Sequence, residues 1–441
     1  MEEFDLIVIG AGPAGYEAAS IAVRRGLRTV LIEKDHLGGT CLNRGCIPTK
    51  AFCRSAQVAA DVAAASEFGV MLPAGGAAAV DMARVTERKD AVVAQLREAV
   101  AAVCEGAVIL HAEAKFIGPH EVEADGRILT APRIIVATGS RAASLPIEGA
   151  HLAVDSTALL ELTVLPRSLA IVGGGVIGME FASVFAAFGV PVTVLEYCKE
   201  ILPAFDRDVV RQLRTALKRR GVEIQTEAEV CAIRPVEGVM KQVEYRRKGK
   251  TAVVEAEYVL MAVGRSPVVP QGLPEAGAVV GRRGIEVDPR FETAVPGVYA
   301  VGDCNGISLL AHAASAQARV VMGDDIDLSV VPAAVFTVPE CAMAGMTEEQ
   351  CRRDGVPCQV SKCTFRSNGK ALAMGEPEGV VKTLTDPSTG ILIGCQIVGP
   401  HAADMIAEAA LAISARMPAS AIARTIHSHP TLGEVLQSAC S

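Results

Sequence analysis

No stretch of this 441-residue sequence is an uninterrupted apolar run long enough to cross a membrane. Nor is any basic run dense enough to hold a membrane surface, and a formal net charge of -8 argues against nucleic acid as a main partner. The opening MEEFDLIVIGAGPAG carries acids where a signal peptide needs bases, so a soluble, cytoplasmic protein is expected. Tryptophan is absent, while glycine is abundant and half of the residues are hydrophobic, a balance that fits an α/β protein with tight strand–helix turns. The 13 cysteines are mostly scattered singly, as at Cys104, Cys198, Cys231 and Cys395, which excludes the framework of a secreted disulfide scaffold. Most read as small buried hydrophobes. Cys351, Cys358 and Cys363 lack the CxxC spacing of a zinc site, so no metal is assigned.

What is present points to nucleotides. Phe4–Ile9 reads as a buried parallel strand, followed at once by Gly10-Ala-Gly12-Pro-Ala-Gly15 and a helix over Tyr16–Arg25. Gly10 makes the turn, Gly12 lets a pyrophosphate approach the backbone, and Gly15 lets helix and strand pack closely. The helix N-terminus then offers its N–H groups and positive dipole to the phosphates. A second strand, Arg28–Ile32, ends in Glu33, placed to accept from a ribose hydroxyl. The unit returns as Ser168–Val172, Gly173-Gly-Gly175-Val-Ile-Gly178, a helix over Met179–Phe188 and Val192–Leu195 ending in Glu196. The first glycine and the acid are 33 − 10 = 23 positions apart in one unit and 196 − 173 = 23 in the other. A carboxylate at Glu196 favours a free ribose 2′-hydroxyl over a 2′-phosphate, hence NAD; the nearest cation is Lys199, with no arginine pair beside it.

Between the two units stands Gly38–Lys50, GGTCLNRGCIPTK, with Cys41 and Cys46 four residues apart. On one helix these positions do not share a face, but neighbouring turns bring the sulfurs within bridging reach with mild distortion. A bridge closing so short a loop gains little from chain entropy, so its value would be redox; the plain alternative is two buried thiols. Two dinucleotide sites and a cysteine pair in one chain suggest electrons passing between two cofactors and a disulfide.

The remaining chain is expected to fold as follows. Ala51–Ala65 continues the cysteine helix, Leu72–Ala79 is a small-residue loop, and Arg84–Val103 is a helix with an apolar stripe through Val85, Val92, Leu96, Val100 and Val103. The charges of Glu87–Asp90 read as a solvated face. Lys115–Leu129 is a meander, and Arg133–Val136 a buried strand running into Thr138-Gly139. Val230–Ala256 is a polar hairpin region and Tyr258–Val263 a buried strand closing at Gly264. Asp303, after the strand Gly297–Val301, either holds a cofactor hydroxyl or caps a helix. From Val331, short strands alternate with helices, a separate α+β domain. His429 and Glu434 near the end are a candidate base and the carboxylate that fixes its tautomer, set against an ordinary surface histidine.

Together these motifs resemble the flavin disulfide oxidoreductases, and among them the dihydrolipoamide dehydrogenases. The resemblance spans nearly the whole length: GAGPAG, GGTCLNRGCIPTK, VATGSRAASLP, GGGVIGME, AVGRSP, GVYAVGDC, FTVPECAMAGMTEEQ, ALAMGEPEGVVK, GPHAADMIAEAALAI and HPTLGE. It implies two Rossmann-like domains, for FAD and NAD, and a C-terminal α+β dimerisation domain. The expected boundaries are 1–142 and 265–330 for FAD, 143–264 for NAD and 331–441 for the dimer interface. By the same resemblance Cys41 attacks the substrate sulfur, Cys46 stacks on the flavin, and Lys50 lies near the flavin ring paired with Glu180. Thr138, Gly139 and Gly264 fall among the cofactor contacts, Asp303 takes the ribityl chain and Glu33 the adenosine ribose. His429 and Glu434 would come from the other subunit of a homodimer. The implied reaction reoxidises dihydrolipoamide on lipoyl-bearing carrier proteins, either an acyltransferase core or a glycine-cleavage carrier, and passes hydride to NAD⁺.

Three residues depart from the pattern: Gly433 where serine is expected, Cys304 where an aliphatic residue is commoner, and Cys440, which reads as a lone exposed thiol. The alternatives are another flavin disulfide reductase, mercuric or transhydrogenase-like, or a non-catalytic flavoprotein scaffold. The intact set Cys41, Cys46, His429 and Glu434 argues against the scaffold.

Overall fold

A computed structural model describes residues 1–71 and 79–441, so the loop expected over Leu72–Ala79 lies, but for its last residue, outside the described residues. The chain forms two compact units: residues 1–51, 83–143 and 264–328, and residues 52–82, 144–263 and 329–441.

The first unit is built on a five-stranded parallel sheet in the order Val298–Ala300, Ile134–Val136, Leu6–Ile9, Thr29–Ile32, Val108–Leu110. Leu6 and Val8 face one core with Ala14, Ala18 and Ala22, while Ile7 and Ile9 face another with Phe116, Val122 and Leu129. A strand covered on both faces needs an apolar residue at every position, which is why LIVI does not alternate. The helix that follows is Pro13–Arg24, beginning where proline's fixed φ and missing N–H cost nothing. The expected meander is the trio Lys115–Gly118, Glu121–Ala124 and Arg127–Thr130, edged by Glu2–Glu3.

The second unit repeats the plan with a four-stranded parallel sheet, Glu223–Thr226, Val192–Glu196, Leu169–Val172, Tyr258–Met261. Its glycine-turn helix, Val176–Ala187, is apolar nearly all round and is buried without a break from Gly178 to Phe185. Beside it lies an antiparallel trio, Glu229–Pro235, Lys241–Arg247 and Lys250–Ala256. The C-terminal part is a five-stranded antiparallel sheet, Ala333–Val335, Glu340–Gly345, Leu392–Gly399, Val380–Thr385, Gln359–Thr364. Helix Ala402–Ser414 sets Ile406, Ala409 and Ile413 into one core with Ala342, Ala344 and Ile397. The fold is thus α/β, with two Rossmann-like sheets and a C-terminal α+β part built on the antiparallel sheet.

Several expectations are corrected. The cysteine stretch is two helices, Gly39–Arg44 and Cys46–Ala63, broken at Gly45, where φ is −137° and ψ is −109°. The helix Met82–Val103 buries Met82, Thr86, Lys89, Val93 and Val100; of the expected stripe Val100 is buried, Val85, Val92 and Leu96 are half-buried, and Val103 is exposed. Lys89, inside the run taken for a solvated face, is 1% exposed, its ammonium 2.6 Å from Asp90. Strand Glu340–Gly345 was not anticipated, because its small residues carry no strong period. Cys440 is buried, not exposed, and burial pushes its thiol up to about 12. Conversely Cys198 is exposed and Cys231 half-buried. No helix among the described residues is long and apolar enough to cross a membrane.

Candidate active site

Both glycine turns are held the same way. Gly10 and Gly173 adopt φ of +97° and +109°, and a Cβ on either would fall 2.4 or 2.3 Å from the carbonyl oxygen of Ala137 or Ala262. Only glycine fits such a turn. The acid at the end of the second strand then secures it. Glu33 accepts from Ala11 N at 2.7 Å and Asp35 N at 2.9 Å; Glu196 accepts from Gly174 N and Cys198 N, each at 2.5 Å. The two carboxylates are 8% and 7% exposed, and each oxygen keeps a further lone pair for a ribose hydroxyl.

These turns fit FAD and NAD. A Cβ on Gly12 would meet nothing nearer than 3.9 Å and one on Gly175 nothing within 4 Å, so each turn opens onto space at a helix N-terminus without a side-chain cap. That is where a pyrophosphate's charge is favoured. Beyond Glu196 lies a cavity of about 730 Å³ lined by Tyr197, Cys198, Lys199, Arg246, Arg247 and Lys248. The fold thus brings up two arginines that the sequence did not place beside Glu196. They are engaged: Arg246 with Glu229 at 3.3 Å, and Arg247 with Thr226 O at 2.9 Å and Gln225 Oε1 at 2.6 Å.

Cys41 and Cys46 form a disulfide, with Cα atoms 4.7 Å apart. The break at Gly45 places Cys46 at the start of a new helix, so the bridge joins two helices. Gly38 N donates to Ala11 O at 2.8 Å, and a Cβ on Gly39 would lie 2.6 Å from Gly12 Cα. The redox loop therefore rests directly on the first dinucleotide turn. Asn43, missed at sequence level, is buried and donates to Gly39 O at 2.8 Å and Leu37 O at 3.0 Å, while Arg97 donates to its Oδ1. Lys50 stands one turn after Cys46 on the second helix.

Asp303 caps no helix. Its carboxylate accepts from Ser140 Oγ at 2.5 Å, and Arg265 donates to Ser140 Oγ and O, each at 2.7 Å. Ser140 and Arg265 gave no local signal, since they lie 125 positions apart. Thr138 Oγ1 donates to Val268 O at 2.5 Å, and Gly139 and Gly264 hold φ of +68° and +115°. Cys304 is wholly buried, its Sγ lying 3.2 Å from Val301 O and 3.4 Å from Val136 O, and its thiol is pushed by burial up to about 12. It packs as a small hydrophobe.

In the second unit, Glu180 is buried on the glycine-turn helix and accepts from Phe336 N at 3.0 Å. His429 Nδ1 lies 2.9 Å from Glu434 Oε1, and Glu434 Oε2 accepts from Thr431 N at 2.8 Å. Those two hydrogen bonds, His429's foremost, hold the Glu434 carboxyl below its ordinary value. The His429 side chain is 79% exposed, so its Nε2 side is open.

Two dinucleotide turns with a disulfide resting on one of them define a flavin disulfide oxidoreductase. Residues 4–318 match the pyridine nucleotide-disulphide oxidoreductase family and residues 331–440 its dimerisation domain, and the chain belongs to that family. It is 38% identical over 452 residues to dihydrolipoyl dehydrogenase of Geobacillus stearothermophilus, covering 99% of this chain and 95% of that protein. Against dihydrolipoyl dehydrogenase of Thermus scotoductus the identity is 37%, covering 100% and 97%. Among solved structures, the Cu(II) complex of the HOCl-induced flavoprotein disulfide reductase RclA from Escherichia coli matches with a TM-score of 0.88 at 30% identity, covering 100% of this chain and 99% of that one. The protein is accordingly an NAD-dependent oxidoreductase acting on sulfur, with FAD and NAD as cofactors. Its dimerisation domain supports a homodimer.

Proposed function

We propose that the protein is a cytoplasmic dihydrolipoyl dehydrogenase, which reoxidises dihydrolipoamide on a lipoyl-bearing carrier of a 2-oxoacid dehydrogenase or glycine-cleavage system. The observation that carries this reading is the His429–Glu434 pair at 2.9 Å together with the intact Cys41–Cys46 disulfide. Thiol–disulfide exchange needs a thiolate, and a base must make it. With Nδ1 held by Glu434, Nε2 of His429 is the nitrogen left to take a substrate proton.

The thiolate so formed attacks Sγ of Cys41, the bridge breaks, and its electron pair leaves on Cys46. The second substrate thiol, its proton passing to the departing Cys41 sulfur, then displaces Cys41, closing the lipoamide disulfide and leaving the protein pair reduced. FAD, when bound, would supply the acceptor for that electron pair, with NAD⁺ as the hydride acceptor beyond it. Lys50 is assigned to the flavin ring, Glu180 to the catalytic residues, Asp303 to the ribityl chain, and Glu33 and Glu196 to the two riboses. Thr138, Gly139 and Gly264 are assigned to the cofactor walls. The working domains are 1–142 with 265–330 for FAD, 143–264 for NAD and 331–441 for the dimer. His429 and Glu434 serve the disulfide of the partner subunit, so the homodimer is the catalytic unit.

The test is NAD⁺ reduction by free dihydrolipoamide with FAD-loaded protein. Fast turnover is expected. Negligible turnover with flavin still bound would assign the scaffold to another disulfide or metal substrate.

A further inference from the structure

A second histidine–glutamate pair stands behind the first. From Arg424 to Pro430 every residue is exposed except His427, whose side chain is 10% exposed. Its Nε2 lies 3.1 Å from Glu408 Oε1, on helix Ala402–Ser414, and its Nδ1 lies 3.0 Å from Thr425 O. A carbonyl and a carboxylate only accept, so each ring nitrogen meets an acceptor, and turning the ring over would leave both facing C–H groups. The ring is therefore fixed in place and in sense.

The same ring lies close to the neighbour of the dyad's carboxylate. A Cβ on Gly433 would come 3.2 Å from His427 Cδ2, so the ring lies closely over the residue preceding Glu434. Gly433 opens the helix Gly433–Ala439, whose first turn carries Glu434. Among the described residues His429 is tethered through its side chain to Glu434 alone, while the run that carries it is tied at Thr425 O by Gln437 at 2.8 Å and at Thr431 O by Asn368 at 2.9 Å. Between those ties, Ser428 O accepts from Thr431 Oγ1 at 2.8 Å within the run itself, while His427 reaches out of it to Glu408 on helix Ala402–Ser414.

We propose that His427, anchored on Glu408, is a positioning residue for the His429–Glu434 dyad: it fixes the exposed run bearing His429 and seats the turn bearing Glu434. This rests on the reading of His429 as the base. The glycine at 433, a departure from the serine expected there, then has a local consequence, since it lets the His427 ring close onto the turn. The positive charge that His427 carries when protonated is a lesser influence, behind the hydrogen bonds of His429 and Thr431, holding Glu434 ionised.

The experiment separates the two half-reactions in the FAD-loaded full-length protein by rapid mixing. Flavin reduction by dihydrolipoamide needs the dyad; flavin reduction by NADH does not. His427→Phe keeps the ring volume and removes the anchor. It is expected to slow the dithiol half-reaction by roughly tenfold to a hundredfold, as a small misplacement of a catalytic group does, with NADH reduction unchanged. Glu408→Ala, at a side chain 38% exposed, tests the same anchor should His427→Phe fail to fold, and should show the same selective loss. Glu408→Gln keeps an accepting oxygen and should restore most of the rate. Native dithiol reduction in both His427→Phe and Glu408→Ala, or an equal fall in both half-reactions, overturns the proposal. His429→Ala is the control: if it leaves dithiol reduction intact, the base assignment itself fails and this proposal with it. If it abolishes dithiol reduction while the His427 and Glu408 variants do not slow it, only the positioning role fails.

Discussion

The ammonium of Lys382 lies 2.9 Å from the carboxylate of Asp206, and the lysine side chain is wholly enclosed. Asp208 at 2.9 Å and Glu348 at 2.8 Å complete a ring of three acids around it, so a cluster with the makings of a cation site is filled by the chain's own cation. Asp206 also accepts from Glu348 N and Glu349 N, opening helix Glu348–Asp354, and from Gln396 Nε2 at 2.6 Å. The cluster joins helix Arg207–Arg219 to two strands of the antiparallel sheet, Val380–Thr385 and Leu392–Gly399. Lys382→Met would leave Asp206 buried beside two further acids without their shared partner. Removing one member of a buried pair costs about 3–5 kcal/mol, so urea unfolding of Lys382→Met should show a loss of that order. A loss below roughly 1 kcal/mol would mean that water replaces the ammonium and that the cluster is not a fastening.

The same cluster sets a pH window. Burial would raise the carboxyls of Asp206 and Asp208, but it is outweighed in Asp206 by the N–H groups of Glu348 and Glu349 and the Lys382 ammonium, and in Asp208 by the Lys362 and Lys382 ammoniums, so both end below the ordinary 3.8. Glu348 is lowered from 4.5, first by its hydrogen bond from Lys382. Burial would lower Lys382, yet its three acids raise it above 10.5. Lowered carboxyls contribute stability above their unfolded values and lose it as pH falls through the folded ones. A raised lysine contributes fully below its unfolded value and loses that contribution as pH rises through the folded one. The stability gap between the native protein and Lys382→Met should therefore be flat between about pH 5 and 10 and shrink on either side. A gap as wide at pH 3 as at pH 7 would show that the carboxylates do not supply it.

The contact between Gly39 and Gly12 makes a separate prediction about flavin binding. A methyl at Gly39 would lie 2.6 Å from Gly12 Cα, and its φ of +59° already disfavours a side chain by roughly 1–2 kcal/mol. Gly39→Ala must push the disulfide loop off the dinucleotide turn or open the turn itself. The purified variant should carry a smaller share of FAD, read from the ratio of flavin to protein absorbance, and regain it only at raised FAD concentration. Full occupancy at native affinity would mean that the loop and the turn yield independently.

Features written in consecutive residues were legible before the structure. The two glycine turns and their terminal acids need only a strand, a turn, a helix and a strand in a fixed order, so local pattern sufficed. Features made by distant pairs were not. Ser140, Arg265 and Asp303 meet across 163 positions, His427 and Glu408 across 19, and Arg246 reaches the Glu196 cavity on a hairpin tip. Lys89 misled for a related reason: charge alternation shows that a run is polar, not which member the fold encloses. The helix break at Gly45 was half legible. The glycine was visible, but the same residue also suits close approach by a ligand, and only the backbone shows that it starts a second helix.

The disulfide carries the last prediction. Cys46 follows the break at Gly45 and Cys41 precedes it, so a substitution at either removes the bridge while leaving both helices their own hydrogen bonds. Cys46→Ser should therefore keep its FAD. Its hydroxyl cannot form the bridge or leave as a thiolate, so an attacking dithiol finds no sulfur to reduce and the electron pair has no route onward. Dihydrolipoamide oxidation should fall by roughly 10³-fold or more, the scale of losing a reacting group, while flavin reduction by NADH persists because it does not pass through the bridge. Steady-state turnover and flavin absorbance on one preparation read both. Retained dithiol turnover in Cys46→Ser would place the reducible sulfur elsewhere, and the exposed Cys198 would be the first residue to replace next.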